Sequence, residues 1–115
     1  MTLFESVSPW LDAALKRSGE GLTLAHVADE VAAGRVWLMR GAQSVLALKP
    51  DGEALHVWLA GGELGEVMAM EVAVTASARD AGFRRLTVGG GRRGWSRVLK
   101  SRGWTADGDD LVKEL

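Results

Sequence analysis

At 115 residues, with 47% hydrophobic and 25% charged positions, the chain has an ordinary globular composition and enough length for one core without metal or disulfide. It contains no cysteine, which excludes disulfides, thiol nucleophiles and cysteine-ligated zinc, and a net charge of −1 gives no overall pull toward nucleic acid or an anionic membrane. No apolar run approaches membrane-spanning length and the first five residues, Met1 to Glu5, lack the basic start of a signal peptide, so the expectation is a single cytoplasmic domain over 1–115.

In chain order, Ser8-Pro-Trp-Leu-Asp12 predicts a helix start, with Ser8 as cap, Pro9 at the first helical position, Leu11, Ala14 and Leu15 inward, and Gly19 as the stop. Thr23 caps a second helix with Leu24, Val27, Ala28 and Val31 inward, ending at Gly34. Three strands follow, at 35–40, 44–49 and 54–60, and Lys49-Pro-Asp-Gly52 between the last two is a hairpin signal. Residues 65–81 read as the longest helix, with Val67, Met70, Val74, Ala78 and Ala81 on its inner stripe and Gly82 as a left-handed cap. A strand at 85–88, a helix at 95–102 stopped by Gly103, and a short strand at 110–115 complete the order α-α-β-β-β-α-β-α-β. That order predicts an α+β domain around a mixed, mostly antiparallel sheet.

Two stretches carry a family resemblance: Leu55-His-Val-Trp-Leu-Ala-Gly-Gly-Glu-Leu-Gly-Glu-Val-Met68, and Trp95-Ser-Arg-Val-Leu-Lys-Ser-Arg-Gly-Trp104. With the order of elements, they resemble the GNAT acyltransferase superfamily over residues 22–115, and the Gly-Arg-Arg-Gly-Trp95 run is similar to small GNAT-like proteins of tailed phages and prophages. The resemblance implies a GNAT-like fold, acetyl-CoA as cofactor, transfer of acetyl to an amine, and a place in the host cytoplasm or on a virion. A non-enzymatic virion or host-interaction protein on the same fold is the alternative it leaves open.

In that family the turn before the long helix holds coenzyme A through Arg/Gln-x-x-Gly-x-Gly/Ala. Here the corresponding run is Gly62-Glu-Leu-Gly65-Glu-Val67, in which Gly65 alone matches. The cofactor-binding candidates are Gly61, Gly62, Gly65 and Glu66, with Arg92 and Arg93 from the second side of the cleft. A glycine turn entering a helix exposes amides that can hold a diphosphate. Glu63 and Glu66 oppose this: at about 5 Å and an effective dielectric near 20, each like-charge contact costs roughly 3 kcal/mol before screening. The competing reading is that the glycines only turn the chain and the glutamates complement the helix start.

Acyl transfer needs a deprotonated amine, a polarised carbonyl and a protonated leaving thiolate. The chain has no tyrosine to act as acid, which leaves Ser96, and the candidate bases are His56 and Glu53. His56 has the alternative of a purely structural place in the sheet, on the face shared by Ala54 and Trp58. Two isolated histidines, His26 and His56, make no metal site.

Arg79, Arg84, Arg85, Arg92, Arg93, Arg97, Lys100 and Arg102 form a basic span countered within it by Asp80. Its Gly89-Gly-Gly-Arg-Arg-Gly94 turn formally matches a dinucleotide fingerprint, but lies near the C-terminus without the βαβ context. The span reads as a solvated surface, a phosphate-binding edge, or a nucleic-acid grip between Arg79 and Arg102. Five tryptophans and open sheet edges allow a homodimer or docking to a phage particle. The central expectation is that the strands near Val57 and Thr87 part at their glycine ends and leave main-chain amides facing a groove.

Overall fold

The structure is a computed structural model and describes residues 1–89 and 96–115, together with the main chain of 93–95. The elements are α1 (Leu3–Ser18), α2 (Leu24–Ala32), β1 (Trp37–Arg40), β2 (Ser44–Asp51), β3 (Ala54–Gly62), α3 (Leu64–Asp80), β4 (Arg85–Gly89), α4 (Arg93–Lys100), β5 (Thr105–Asp107) and β6 (Asp110–Glu114). All six strands join one sheet in the order β1-β2-β3-β4-β6-β5. Only β3 and β4 pair parallel; the other neighbours are antiparallel. The fold is therefore α+β with a mixed, mostly antiparallel sheet, as the order of elements predicts.

Helices cover both faces. On one, α1 buries Val7, Leu11, Ala14 and Leu15 and α2 buries Val27 against Val45, Ala47 and Leu59 of the sheet. On the other, α3 sets Val67, Met70, Val74 and Ala78 against Leu46, Leu55, Val57 and Leu86, and Leu99 of α4 and Trp104 close that core. The inner stripe of α3 also carries Glu71 and Thr75, whereas Ala81 lies outside the helix as its exposed cap.

Three local readings change. Helix α1 starts five residues before Ser8: Thr2 Oγ1 accepts from the Glu5 amide at 3.1 Å, and Pro9 lies inside the helix. There it withholds the donor that the Glu5 carbonyl would otherwise receive, and the Ser6 and Ser8 hydroxyls bond back to the Leu3 and Phe4 carbonyls of the preceding turn. Strand β2 runs on through Pro50 to Asp51, with Gly52 (φ 60°) making the turn. Finally, Thr105–Asp107 is an additional strand, paired with β6 from Thr105↔Val112 to Asp107↔Asp110. Its three exposed residues present no apolar alternation to read.

Strands β3 and β4 determine the shape of the candidate site. They pair in parallel from Ala54↔Arg85 to Val57↔Val88, and β3 then continues to Gly62 with β2 as its neighbour. A bulge falls at the same point. On β2, Ala47 pairs with Leu59 and Leu48 with Val57, so Trp58 is the extra residue. A bulge bends its strand and increases the local twist. Among the described residues the β3–β4 pairing therefore stops at Val57↔Val88, where β4 is one residue from its end at Gly89, while β3 runs on to Gly62.

Candidate functional site

Beyond the bulge, β3 borders a cleft of about 230 Å³ on the α1 side. Its walls are Ala14, Arg17 and Ser18 of α1, Glu20, β3 from His56 to Ala60, and Val88 and Gly89 at the end of β4. Gly61 permits this arrangement, since a Cβ there would collide with the Trp10 carbonyl of α1. Gly62 has φ of 113°, and a Cβ would meet the Gln43 carbonyl and Ser44. Both glycines therefore serve close approach as well as turning the chain. The Arg17 guanidinium reaches across from α1 and donates to the Ala60 carbonyl at 3.4 Å. That contact identifies Ala60 as a main-chain acceptor on the cleft edge of β3.

His56 is half-buried in the cleft wall, and its Nδ1 lies 2.7 Å from Thr87 Oγ1, its partner across the parallel register. Burial lowers its pKa below the ordinary imidazole value, against an opposing pull from Asp110 and with help from the Lys49 charge. The imidazole is therefore neutral at pH 7. When Nδ1–H donates to Thr87, Nε2 carries the free lone pair of a base. Trp58 forms the adjoining wall. Its ring meets His26 edge-on at a centroid distance of 6.1 Å, and Lys49 Nζ sits 3.9 Å from its centroid.

The turn into α3 is differently arranged. Glu63 caps the helix with both carboxylate oxygens, accepting from Gly65 at 2.9 Å and Glu66 at 2.6 Å. Glu66 turns onto the β1–β2 turn and accepts from Ala42 at 3.0 Å and Gln43 at 2.8 Å. The Ser44 hydroxyl and those amides hold the Glu66 carboxyl below its ordinary range. The cofactor candidates Gly61, Gly62, Gly65 and Glu66 thus lie together at the end of β3, with Glu66 engaged inside the chain.

The other candidates are dispersed. Glu53 is at the far end of β3, exposed, and 3.7–3.8 Å from Arg84 and Arg85. Ser96 is half-buried on α4 and is not part of the cleft wall. Arg92 and the side chain of Arg93 lie outside the described residues. Within the basic span, Arg85 also faces Glu114 at 3.8 Å, and Arg102 faces Glu71 at 3.5 Å. Sequence reasoning did not find Arg17 or Glu20 as cleft residues. Their only signal was position at the end of α1, and only packing brings that end over β3.

A second polar cluster lies across the sheet. Glu71, 8% exposed, accepts from Lys113 Nζ at 2.8 Å and Trp104 Nε1 at 3.0 Å, with Arg102 at 3.5 Å. Burial works to raise its pKa, but the Lys113 and Trp104 hydrogen bonds and the two nearby cations hold it below the ordinary carboxylate value. Trp104 is a core residue. Among the described residues no three metal-ligating side chains gather, and no helix is long and apolar enough to cross a membrane.

No protein-family model matches the sequence, and no curated protein matches it. Solved structures match along nearly the whole chain. An acetyltransferase of Bacillus subtilis in complex with CoA aligns with a TM-score of 0.68 at 9% identity, over 96% of this chain and 92% of that one. An IAA acetyltransferase from Bacillus cereus gives 0.62 at 15% identity, over 97% and 95%. The PaiA N-acetyltransferase of Thermoplasma acidophilum, in complex with coenzyme A, gives 0.61 at 10%, over 97% and 92%. Identities this low speak for architecture alone, and with the mixed six-stranded sheet they show that the chain has a GNAT-like fold.

Proposed function

We propose that the chain is a GNAT-type protein that binds an acyl thioester in the β3–β4 cleft and presents it to an amine entering from the α1 side. The observation that carries this reading is the β3 edge after Val57, which extends past the last described pair with β4 while remaining paired to β2. An extended arm with amide groups, such as pantetheine, finds there the main-chain donors and acceptors of a sheet edge. The Ala60 carbonyl, reached by Arg17, is one such acceptor.

The two parts of acetyl-CoA fit unequally. The edge suits the pantetheine arm, whereas Glu63 and Glu66 oppose a diphosphate at the α3 turn. When bound, the thioester supplies an activated acyl carbonyl. The chain's own residues supply the rest: the β3 edge orients the arm, Trp58 and α1 restrict water, and His56 Nε2 accepts the proton of an attacking amine while Thr87 fixes the ring. Glu53, tied to Arg84 and Arg85 away from the cleft, has no part in this scheme.

A thermal shift measurement tests the binding. Millimolar S-acetylpantetheine or acetyl-CoA should raise the melting temperature in proportion to the logarithm of free ligand. Melting that stays constant with both thioesters removes the reading. A second reading, a non-enzymatic interaction protein on this fold, is favoured by the self-capped start of α3 and the absence of tyrosine. It requires that same constant melting temperature.

A further inference from the structure

The start of α3 follows the cleft edge of β3 by four residues, from Ala60 to Leu64, and helix amides and dipole converge there on any anion carried past that edge. In this chain those donors are already engaged. The Gly65 and Glu66 amides donate to the Glu63 carboxylate, and the Val67 amide donates to the Glu63 carbonyl at 3.0 Å. The Glu63 amide itself donates to the Gln43 carbonyl and the Ser44 hydroxyl, each at 3.1 Å. Four of the five successive amides from 63 to 67 are thus bonded within the chain.

Glu66 adds a second fixed charge one residue along the turn. Its carboxylate is doubly bonded to the Ala42 and Gln43 amides and packs against Gly41, where any Cβ would collide with it. A diphosphate would have to displace the Glu63 side chain and then remain beside both carboxylates.

We infer that Glu63 is a specificity-determining residue: an anion covalently part of the chain that fills the α3 N-terminus, so that the cleft takes acyl groups on a pantetheine-type arm and gains little from the nucleotide diphosphate of coenzyme A. This rests on the thioester reading of the cleft. It assigns the substrate class as pantetheine thioesters irrespective of what the arm's far end carries.

The test is calorimetric titration of the full chain with S-acetylpantetheine and with acetyl-CoA at low ionic strength. The wild-type dissociation constants should agree within about threefold, since four of the five amides at the turn are already bonded within the chain. E63Q keeps an amide oxygen as cap but loses the charge, and E63S withdraws the side chain from the turn. Each should tighten acetyl-CoA at least about tenfold and leave S-acetylpantetheine within about twofold. A wild-type preference for acetyl-CoA of about tenfold or more overturns the inference and leaves the thioester reading standing. Unchanged acetyl-CoA affinity in both folded variants overturns it equally. If neither thioester binds the wild type or either variant, the thioester reading fails and the inference falls with it. Should both variants fail to fold, the wild-type comparison of the two ligands decides alone.

Discussion

The two faces of the sheet treat their polar groups in opposite ways. On the α3 face, Glu71 gathers Lys113, Trp104 and Arg102 around one carboxylate. On the α1 face, His56 has Thr87 as its side-chain partner, and β3 leaves part of its main-chain edge along an open cleft. A buried, mutually bonded cluster joins α3, β6 and the segment after α4. The capacity for binding lies where the register was interrupted.

The largest effect expected from breaking this contrast is at the buried cluster. Glu71→Leu leaves the Lys113 ammonium and the Trp104 indole without their acceptor, and should cost about 3 kcal/mol in urea unfolding with an unchanged m-value. On the cleft face the corresponding change should affect activity and spare stability. His56→Ala should lower acetyl transfer to an amine by about 100-fold, with thioester affinity retained; a comparable loss of binding would assign His56 to the wall alone. Gly61→Ala pushes α1 off β3 through the Trp10 carbonyl and should cost about 2 kcal/mol, and it should also weaken thioester binding because it deforms the cleft. Thr87→Val should be smaller, about tenfold in rate, since the ring loses its orienting partner and keeps its place.

The smallest effect separates the faces by pH. The folded state holds both His56 and Glu71 below their ordinary values. Each therefore contributes stability that is complete above its unfolded pKa and lost as pH falls toward its folded one. The His56 loss begins below the ordinary imidazole value, and the Glu71 loss only below the ordinary carboxylate value. Unfolding measured across acid pH should show the upper loss vanish in His56→Asn and the lower loss shrink in Glu71→Gln, the remainder belonging to Glu66 and Glu30.

Much of the architecture was readable because it depends on local chemistry. The α3 stripe from Val67 to Ala78, the Pro50–Gly52 turn and the glycines after β3 each signal through period or backbone freedom. The start of α1 was misread because Ser8-Pro9 looks like a cap, while Thr2 with Glu5 makes the one actually used. Strand β5 gave no signal because its three residues bury nothing. The site was legible in part. Of the candidates, His56 lines the cleft and Gly61 and Gly62 follow its edge on β3, but Glu66 faces the β1–β2 turn, and Glu53 precedes the cleft residues of β3.

By itself, the sequence determined every described element but β5, their order and the glycine-rich end of β3, since helix period, caps and turns act over a few residues. Only the tertiary structure decided that Trp58 is the extra residue, that the β3–β4 pairing stops at Val57, and that Glu63 closes its own helix start. Those outcomes depend on register between distant strands and on which amides a flexible carboxylate can reach. Both are set by the packing of the whole sheet between its helices.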